Sequence, residues 1–357
     1  MKCFTTTIIA TIIAIAFVSC KKDSNNNGAG PITGHGIYIV NEGAFGNSDA
    51  SISYYDINSG SISNNIFFST NNFPVGDVAQ SMAIHEGKGY IVVNNSQKIE
   101  VVNAENCSSI ATITGFSGPR YFIGMGNKGY VSDWFDNEIK VIDLNSNSIV
   151  ANISTGNGPE QLMIINNKLF VCNVGGWSSD STVTIIDLST QMVDTTLVVG
   201  LNPNSIQLDN NGKLWVLCGG STGPDYTGGT ADDIAGSLWM IEPATNTVIG
   251  SQTFQSADHP VKLTYSSTDG KMLLLKGIDG YTGSIFSFDT GSMPVNLTML
   301  NTKKFYGLDI DHTSSMIYAG FAPSFSQNGL IFKIGFSGTV VDSAEAGIAP
   351  NGFAIKE

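Results

Sequence analysis

The segment Asn351-Gly352-Phe353-Ala354-Ile355 lies at the very end of the chain, yet it matches the opening strand of an internal repeat. Earlier copies of this strand recur about every 40 residues, with wider spacing where loops are inserted. They begin at Gln80, Arg120, Glu160, Asn204, Val261 and Tyr306. Recurrence at this period is typical of repeat architectures. The terminal segment is therefore the first strand of a repeat whose remaining strands lie elsewhere.

Two further strands follow in each repeat, and both occur seven times. The second is represented by Ile37-Tyr38-Ile39-Val40, and the third alternates in polarity and ends near an acidic residue, as in Ile139 to Asp143. The repeat at Ile37 has no opening strand before it, so the C-terminal segment must supply one. Such closure removes exposed strand edges, whereas an open array would need capping repeats. The sequence predicts an all-β, seven-bladed β-propeller over residues 36–357, closed by the C-terminal strand pairing into the first blade.

Composition restricts the possible functions. The chain has 357 residues, of which only 13% are charged, and its net charge is −13. A nucleic acid would be repelled by that charge, so we expect no nucleic-acid partner. The hydrophobic content of 42% argues against intrinsic disorder. After residue 20 no apolar run is long enough to cross a bilayer as a helix.

The N-terminus has the pattern of an exported, lipid-anchored protein. Lys2 precedes an apolar run, and Phe17-Val18-Ser19-Cys20 resembles the lipobox of bacterial lipoproteins. We expect residues 1–19 to be a signal peptide, Cys20 to be acylated, and residues 20–35 to form a flexible tether. Lys21-Lys22-Asp23 resembles the signal that sends some lipoproteins to the outer face of the outer membrane. The predicted location is the outer membrane, facing the exterior, with membrane contact through the lipid alone.

Three cysteines remain in the predicted propeller, namely Cys107, Cys172 and Cys218. Cys172 and Cys218 occupy strands of neighbouring repeats at positions offset by one residue, which points them to opposite faces of their sheets. We expect buried thiols and no disulfide between these two.

The two faces of the predicted disc differ in their connections. One face carries short polar hairpin turns such as Glu86-Gly87-Lys88, and we call it the turn face. The other, the loop face, carries long loops that each present an aromatic ring. These rings are Phe45, Trp134, Phe135, Trp177, Tyr226, Tyr281 and Phe325. Such rings either pack the loops onto the blades or line a binding site, because functional residues concentrate on loops over a rigid scaffold.

The opening strands begin on the same face with a ring of mostly polar residues. Its members are Gln80, Arg120 with Tyr121, Glu160 with Gln161, Asn204, Lys262, Tyr306 and Asn351. Aromatic walls over a hydrogen-bonding floor suit a large, flat, polar ligand without strong charge. The predicted ligand-binding residues are Phe45, Gln80, Arg120, Tyr121, Trp134, Phe135, Trp177, Asn204, Tyr226, Tyr281 and Tyr306.

Catalytic motifs are not evident. The four histidines are dispersed, and neither a Gly-x-Ser-x-Gly elbow nor an HExxH helix occurs. We therefore expect no enzyme activity, no resident metal and no cofactor. One alternative concerns Asp225, Asp232 and Asp233 in the longest loop, which could supply oxygen ligands to calcium, although a solvated acidic loop is favoured over it.

Several segments carry a more specific resemblance. They are Asn41-Glu42-Gly43-Ala44-Phe45-Gly46, Ser53-Tyr54-Tyr55-Asp56, Gly76 to Met82, Gly89 to Ser96, and Ser117-Gly118-Pro119-Arg120-Tyr121. The repeats resemble YncE-like, surface-layer-type propellers, and these segments are similar to surface lipoproteins that include the cobalamin-binding partner of an outer-membrane vitamin B12 transporter. The resemblance implies capture of cobalamin or another corrinoid and its delivery to a TonB-dependent transporter. A glycan-binding or adhesion propeller is the alternative, and a lactonase- or quinoprotein-type enzyme is the third reading.

Overall fold

Seven four-stranded antiparallel sheets form a ring in the computed structural model, which describes Ile32 and residues 34–356. The predicted all-β, seven-bladed propeller is confirmed. The predicted signal peptide, Cys20 and most of the tether lie outside the described residues. Among the residues described, no helix has the length and apolar character needed to cross a membrane.

Each blade is built from consecutive strands, except that the first blade takes its innermost strand from the C-terminus. Blade 1 comprises β1 (Gly36–Asn41), β2 (Ser51–Asp56), β3 (Ser61–Ser63) and the terminal strand β28 (Pro350–Lys356). Blade 2 comprises β4 (Ala79–His85), β5 (Lys88–Val93), β6 (Lys98–Asn103) and β7 (Ser109–Thr114). Blade 3 comprises β8 (Pro119–Met125), β9 (Lys128–Asp133), β10 (Glu138–Asp143) and β11 (Ser148–Ser154). Blade 4 comprises β12 (Pro159–Ile165), β13 (Lys168–Asn173), β14 (Thr182–Asp187) and β15 (Met192–Val198).

The remaining three blades follow the same order from the inside outwards. Blade 5 comprises β16 (Pro203–Leu208), β17 (Leu214–Cys218), β18 (Ser237–Glu242) and β19 (Thr247–Thr253). Blade 6 comprises β20 (Val261–Ser266), β21 (Lys271–Lys276), β22 (Gly283–Asp289) and β23 (Thr298–Phe305). Blade 7 comprises β24 (Gly307–Asp311), β25 (Met316–Phe321), β26 (Asn328–Ile334) and β27 (Val340–Ile348). A short helix, α1 (Ile66–Asn71), joins blades 1 and 2 and buries Ile66 and Phe67.

The ring closes through the pairing of β1 with β28. In this antiparallel register Ile37 lies opposite Ile355, and Ile39 lies opposite Phe353. Beyond the strands, the backbone N–H groups of Glu42 and Gly43 donate to the carbonyls of Ala349 and Ile348, both at 3.1 Å. The first strand of the chain is thus bonded on one edge to the last.

The hydrophobic core lies between the blades, because each sheet buries both faces against its neighbours. The second strand of each blade, counted from the channel, therefore reads as a continuous apolar run, such as Tyr90 to Val93 in β5, rather than as an alternating one. Tyr90 and Phe122 stack between blades 2 and 3 with ring centroids 4.0 Å apart. Such packing fixes the relative orientation of the blades, and with it the starting points of the inner strands.

Cys107, Cys172 and Cys218 are buried free thiols, as predicted. Cys172 and Cys218 project from opposite faces of neighbouring sheets into one shared core between blades 4 and 5. Burial raises the pKa of the Cys107 and Cys218 thiols to about 12.

The first described residues lie on the turn face. His35 Nε2 lies 3.3 Å from Asp311, at the end of an inner strand, and Lys356 donates to the carbonyl of Gly34. The segment that leads into blade 1 therefore enters on the side opposite the long loops.

Candidate ligand-binding site

The inner strands and the long loops enclose a cup of about 370 Å³ at the centre of the loop face. Each of the seven inner strands, or the residue before it, contributes at least one polar side chain to the lining. These are Gln80, Arg120, Glu160, Asn204, Lys262, Tyr306 and Asn351. Because the strands splay from a common axis, residues as much as 309 positions apart in the chain meet here, as Glu42 and Asn351 do.

Arg120 and Glu160 form the central ion pair of the cup. Nε and Nη2 of Arg120 donate to the two carboxylate oxygens at 2.9 and 2.8 Å, and Nη1 donates to Gln80 Oε1 at 2.6 Å. Burial opposes the charge, but the Glu160 carboxylate raises the pKa of Arg120 above its ordinary value. Such a bidentate pair is rigid, so it presents a fixed hydrogen-bonding surface to the channel.

Trp134 covers this ion pair from the loop face. Its indole Nε1 donates to Glu160 at 2.6 Å, and its ring lies 3.9 Å from the Arg120 guanidinium carbon. The ring is half-buried and therefore stabilises the pair as well as lining the cup.

A second carboxylate, Glu42, lies on the blade 1 side of the cup. It accepts hydrogen bonds from the Tyr306 hydroxyl, at 2.7 Å, and from the Asn351 amide. Burial raises the pKa of Glu42 above its ordinary value and that of Tyr306 well above its own. Glu42 is therefore a buried, hydrogen-bonded carboxyl group that holds its proton more tightly than an exposed one.

A wider groove of about 880 Å³ opens beside the cup. The two cavities share Val174, Asn204, Val261, Gly280 and Tyr281, so they form one continuous basin. Trp177 and Tyr226 line the groove with side chains that are 87% and 86% exposed. Rings this exposed contribute little to packing and offer flat apolar surface to a ligand.

The loop from Gly219 to Gly236 forms the outer wall of the groove. His259 fixes it, because its Nδ1 lies 3.0 Å from the Gly219 carbonyl and its Nε2 lies 3.2 Å from Asp233. Both partners are acceptors, so both bonds form together when the imidazole carries two protons. The buried side chain of His259 therefore holds this loop to blade 6.

The calcium alternative is not favoured by the arrangement of the acidic loop. Asp233 is paired with His259, Asp232 accepts from Thr230, and Asp225 accepts from the backbone of Thr227. Across residues 34–356 no cluster of three or more histidine, cysteine or acidic side chains is arranged to hold a metal ion.

The basin contains most of the residues predicted to bind ligand. Gln80, Arg120, Tyr121, Trp134, Asn204, Tyr281 and Tyr306 line the cup, and Trp177 and Tyr226 line the groove. Phe45 and Phe135 line neither cavity. Phe45 is 78% exposed at the tip of the β1–β2 loop, and Phe135 lies over Gly118, where a Cβ would come within 2.7 Å of its ring.

Two features of the candidate site were not predicted from the sequence. Glu42 lies in the segment Asn41 to Gly46, but its place in the cup depends on contacts with Tyr306 and Asn351 at the far end of the chain. The pairing of His259 with Asp233 depends on how an 18-residue loop folds back. In the sequence, the one indication that Glu42 belongs to the cup was its polar side chain directly after β1.

The sequence profile of a family described as a domain of unknown function, DUF5074, matches residues 35–223. That span is more than half of the chain. Comparison with curated proteins finds no match.

Solved structures share the fold at low identity. A periplasmic gluconolactonase of Pseudomonas aeruginosa is 11% identical with a TM-score of 0.65, covering 90% of this chain and 99% of that one. A putative 6-phosphogluconolactonase of Bacteroides uniformis is 10% identical with a TM-score of 0.65, covering 91% and 100%. A quinoprotein alcohol dehydrogenase-like protein of Bacteroides thetaiotaomicron is 14% identical with a TM-score of 0.64, covering 91% and 78%.

These similarities overturn the expectation that the protein is not an enzyme. The expectation rested on the absence of local catalytic motifs, yet proteins named as lactonases share the fold over nearly their whole length. At these identities the similarity shows the fold alone. Proteins that are named as enzymes are among those that share this fold.

Proposed function

The chain belongs to the DUF5074 family, and we propose that it captures a large, polar, nearly uncharged ligand, namely cobalamin or another corrinoid, in the basin of its loop face. The observation that carries the proposal is the continuity of the cup with the groove, whose volumes are about 370 and 880 Å³. Pockets for drug-sized ligands measure roughly 300–1,000 Å³, so the combined basin suits a larger molecule.

The chemistry of the lining supports a neutral ligand. Arg120 and Lys262 are matched by Glu42 and Glu160 among the charged residues of the cup, so no single sign of charge dominates there. The net charge of −13 also disfavours the binding of a polyanion. A corrin disc offers flat apolar area to Trp177 and Tyr226, and its fringe of amides can exchange hydrogen bonds with the polar floor.

We further propose that the protein is lipid-anchored through Cys20 on the outer membrane and delivers its ligand to a TonB-dependent transporter. The lipobox-like Phe17-Val18-Ser19-Cys20 supports the anchor. The described chain enters on the turn face, so the basin opens on the side away from the entering segment.

Titration of the purified protein with cyanocobalamin tests the proposal, with the visible corrin bands and calorimetry as readouts. We expect saturable binding at one site, weakened at least tenfold by the double change Trp177→Ala and Tyr226→Ala. A matched control is Ile110→Ala, which removes a 48% exposed side chain from the outer strand of blade 2. Saturable binding to neutral oligosaccharides, without cyanocobalamin binding, would instead favour the glycan-binding alternative.

A second candidate function is hydrolysis of a sugar lactone in the cup. Glu42 favours it, because a buried carboxyl group with a raised pKa, adjacent to the Tyr306 hydroxyl, has the properties of a general acid or base. Glucono-δ-lactone is the first substrate to test, by pH-stat titration of the acid released. Activity abolished by Glu42→Gln but retained in Ile110→Ala would support this function, and a rate equal to the uncatalysed one would contradict it.

A further inference from the structure

The cup continues through the axis of the ring into a second cavity of about 190 Å³ towards the turn face. Gln80, Tyr121, Lys262 and Asn351 line both cavities, and we call these four residues the throat. A ligand group that enters the throat from the cup must pass between β4, β8, β20 and β28.

One hydrogen-bond acceptor in the throat has no partner. Asn351 is 4% exposed, and its Nδ2 donates to Glu42. Its Oδ1 is buried and accepts no hydrogen bond from the described part of the chain. Leaving such an oxygen unpaired costs free energy, so a ligand N–H that reached it would bind favourably.

One cation in the throat is likewise unpaired. Within residues 34–356, the ammonium group of Lys262 makes neither a hydrogen bond nor an ion pair. Lys262 interacts electrostatically with Glu42, which lines the cup, and with Asp309, which lines the second cavity. The ammonium group is therefore available to donate to a ligand oxygen in the throat.

The backbone directs Lys262 to this position. Its φ is +59°, a left-handed conformation that is uncommon for residues other than glycine. The register of β20 with β21 also shifts between Val261 and Thr264, as expected for a bulge. Bulges and left-handed residues re-aim side chains and persist where the surrounding structure supports them, often at functional sites.

We propose that the throat binds a neutral carboxamide group of the ligand, with its carbonyl accepting from Lys262 and its N–H donating to Asn351 Oδ1. The inference rests on the proposed function and specifies which part of the ligand enters the channel. A carboxylate would satisfy Lys262 but would place lone pairs against Asn351 Oδ1 and negative charge near Glu42. A carboxamide carries its donor and acceptor on separate atoms, matching partners on two different strands.

The test compares cyanocobalamin binding by the wild type, Lys262→Met and Lys271→Met. Lys271 lies near the turn face, where it pairs with Asp289, so its replacement controls for the lost positive charge. Loss of a charge-assisted hydrogen bond predicts binding weakened roughly 10-fold or more in Lys262→Met, and the control should stay within about twofold. Equal affinities of the two variants would overturn the throat assignment while leaving the proposed function intact.

A second measurement separates failure of the throat from failure of the corrinoid proposal. Propionamide, acetate and glycerol are titrated into the isotope-labelled protein while the NMR signals of Lys262 and Asn351 are followed. Saturable shifts with propionamide, absent in Lys262→Met, support the throat even if cyanocobalamin does not bind. Equal shifts with acetate or glycerol, or no shifts at all because the throat holds water only, would refute it.

Discussion

The hydroxyl of Tyr306 donates a hydrogen bond of 2.7 Å to Oε2 of Glu42, although 264 positions separate the two residues. Glu42 follows β1 directly, Tyr306 precedes the inner strand of blade 7, and Asn351 of β28 binds the same carboxyl group. Residues that close the ring are therefore also residues of the cup. The candidate site is therefore complete only when the ring of blades is closed.

Phe353→Ala should destabilise the protein by about 3–5 kcal/mol, the usual cost of emptying a buried phenylalanine site. Phe353 is 8% exposed on the closing strand, opposite Ile39. Urea unfolding followed by tryptophan fluorescence measures the effect. Val341→Ala is the control, because Val341 is 58% exposed on β27 and should cost less than about 0.5 kcal/mol. Equal midpoints for the two variants would contradict the importance of closure.

Trp134→Ala and Trp177→Ala should differ in stability. Trp134 bonds Glu160 and covers Arg120, so its loss should lower the free energy of unfolding by about 1–3 kcal/mol. Trp177 is 87% exposed, so its loss should leave unfolding unchanged and weaken ligand binding. Trp134→Phe keeps an aromatic ring, although a smaller one, and removes the N–H, which separates the hydrogen bond from the stacking. A large drop in stability with Trp177→Ala would show that this ring packs the loop instead.

Glu42→Gln should become more stable relative to the wild type as the pH rises above 4.5. Burial raises the pKa of Glu42 above its ordinary value of 4.5, so the folded chain binds this proton more tightly than the unfolded chain. The resulting stabilisation is fully present below pH 4.5 and is lost as the pH rises through the higher folded-state value. Glutamine does not titrate, so the difference between the two proteins isolates this group. Chemical denaturation at several pH values measures it, and a pH-independent difference would rule out the raised pKa.

His259→Ala should free the loop from Gly219 to Gly236. The change removes contacts with Asp233 and the Gly219 carbonyl, while the Lys276–Asp258 ion pair next to it stays in place. Hydrogen–deuterium exchange should become faster in this loop and remain unchanged in blades 1–4. His85→Ala serves as the matched control, because His85 bonds the Gly126 carbonyl on the turn face. Unchanged exchange in the loop would mean that other contacts hold it.

The closed ring could be predicted from the sequence. The first repeat lacks its opening strand and the end of the chain has an extra one, and few arrangements other than their pairing account for both. The polar lining of the cup could be predicted from the same internal repeat, because each inner strand starts at an equivalent position on the loop face. Trp134 and Trp177 could not be told apart in this way. Their exposure depends on whether a neighbouring blade offers a partner, and only Trp134 meets Glu160.

The prediction about catalysis failed for a related reason. It was argued from residues close together in sequence, whereas a propeller assembles its central side chains from every blade. Glu42, Tyr306 and Asn351 meet only in the closed ring, so no local motif contains them.

The pairing of β1 with β28 also constrains how the molecule is made. During synthesis, blades 2 to 7 can form as their segments emerge from the ribosome, but blade 1 must wait until β28 has been made. Until then β1 exposes an unpaired edge, so the nascent chain is vulnerable to proteases and to mispairing for as long as β28 is missing.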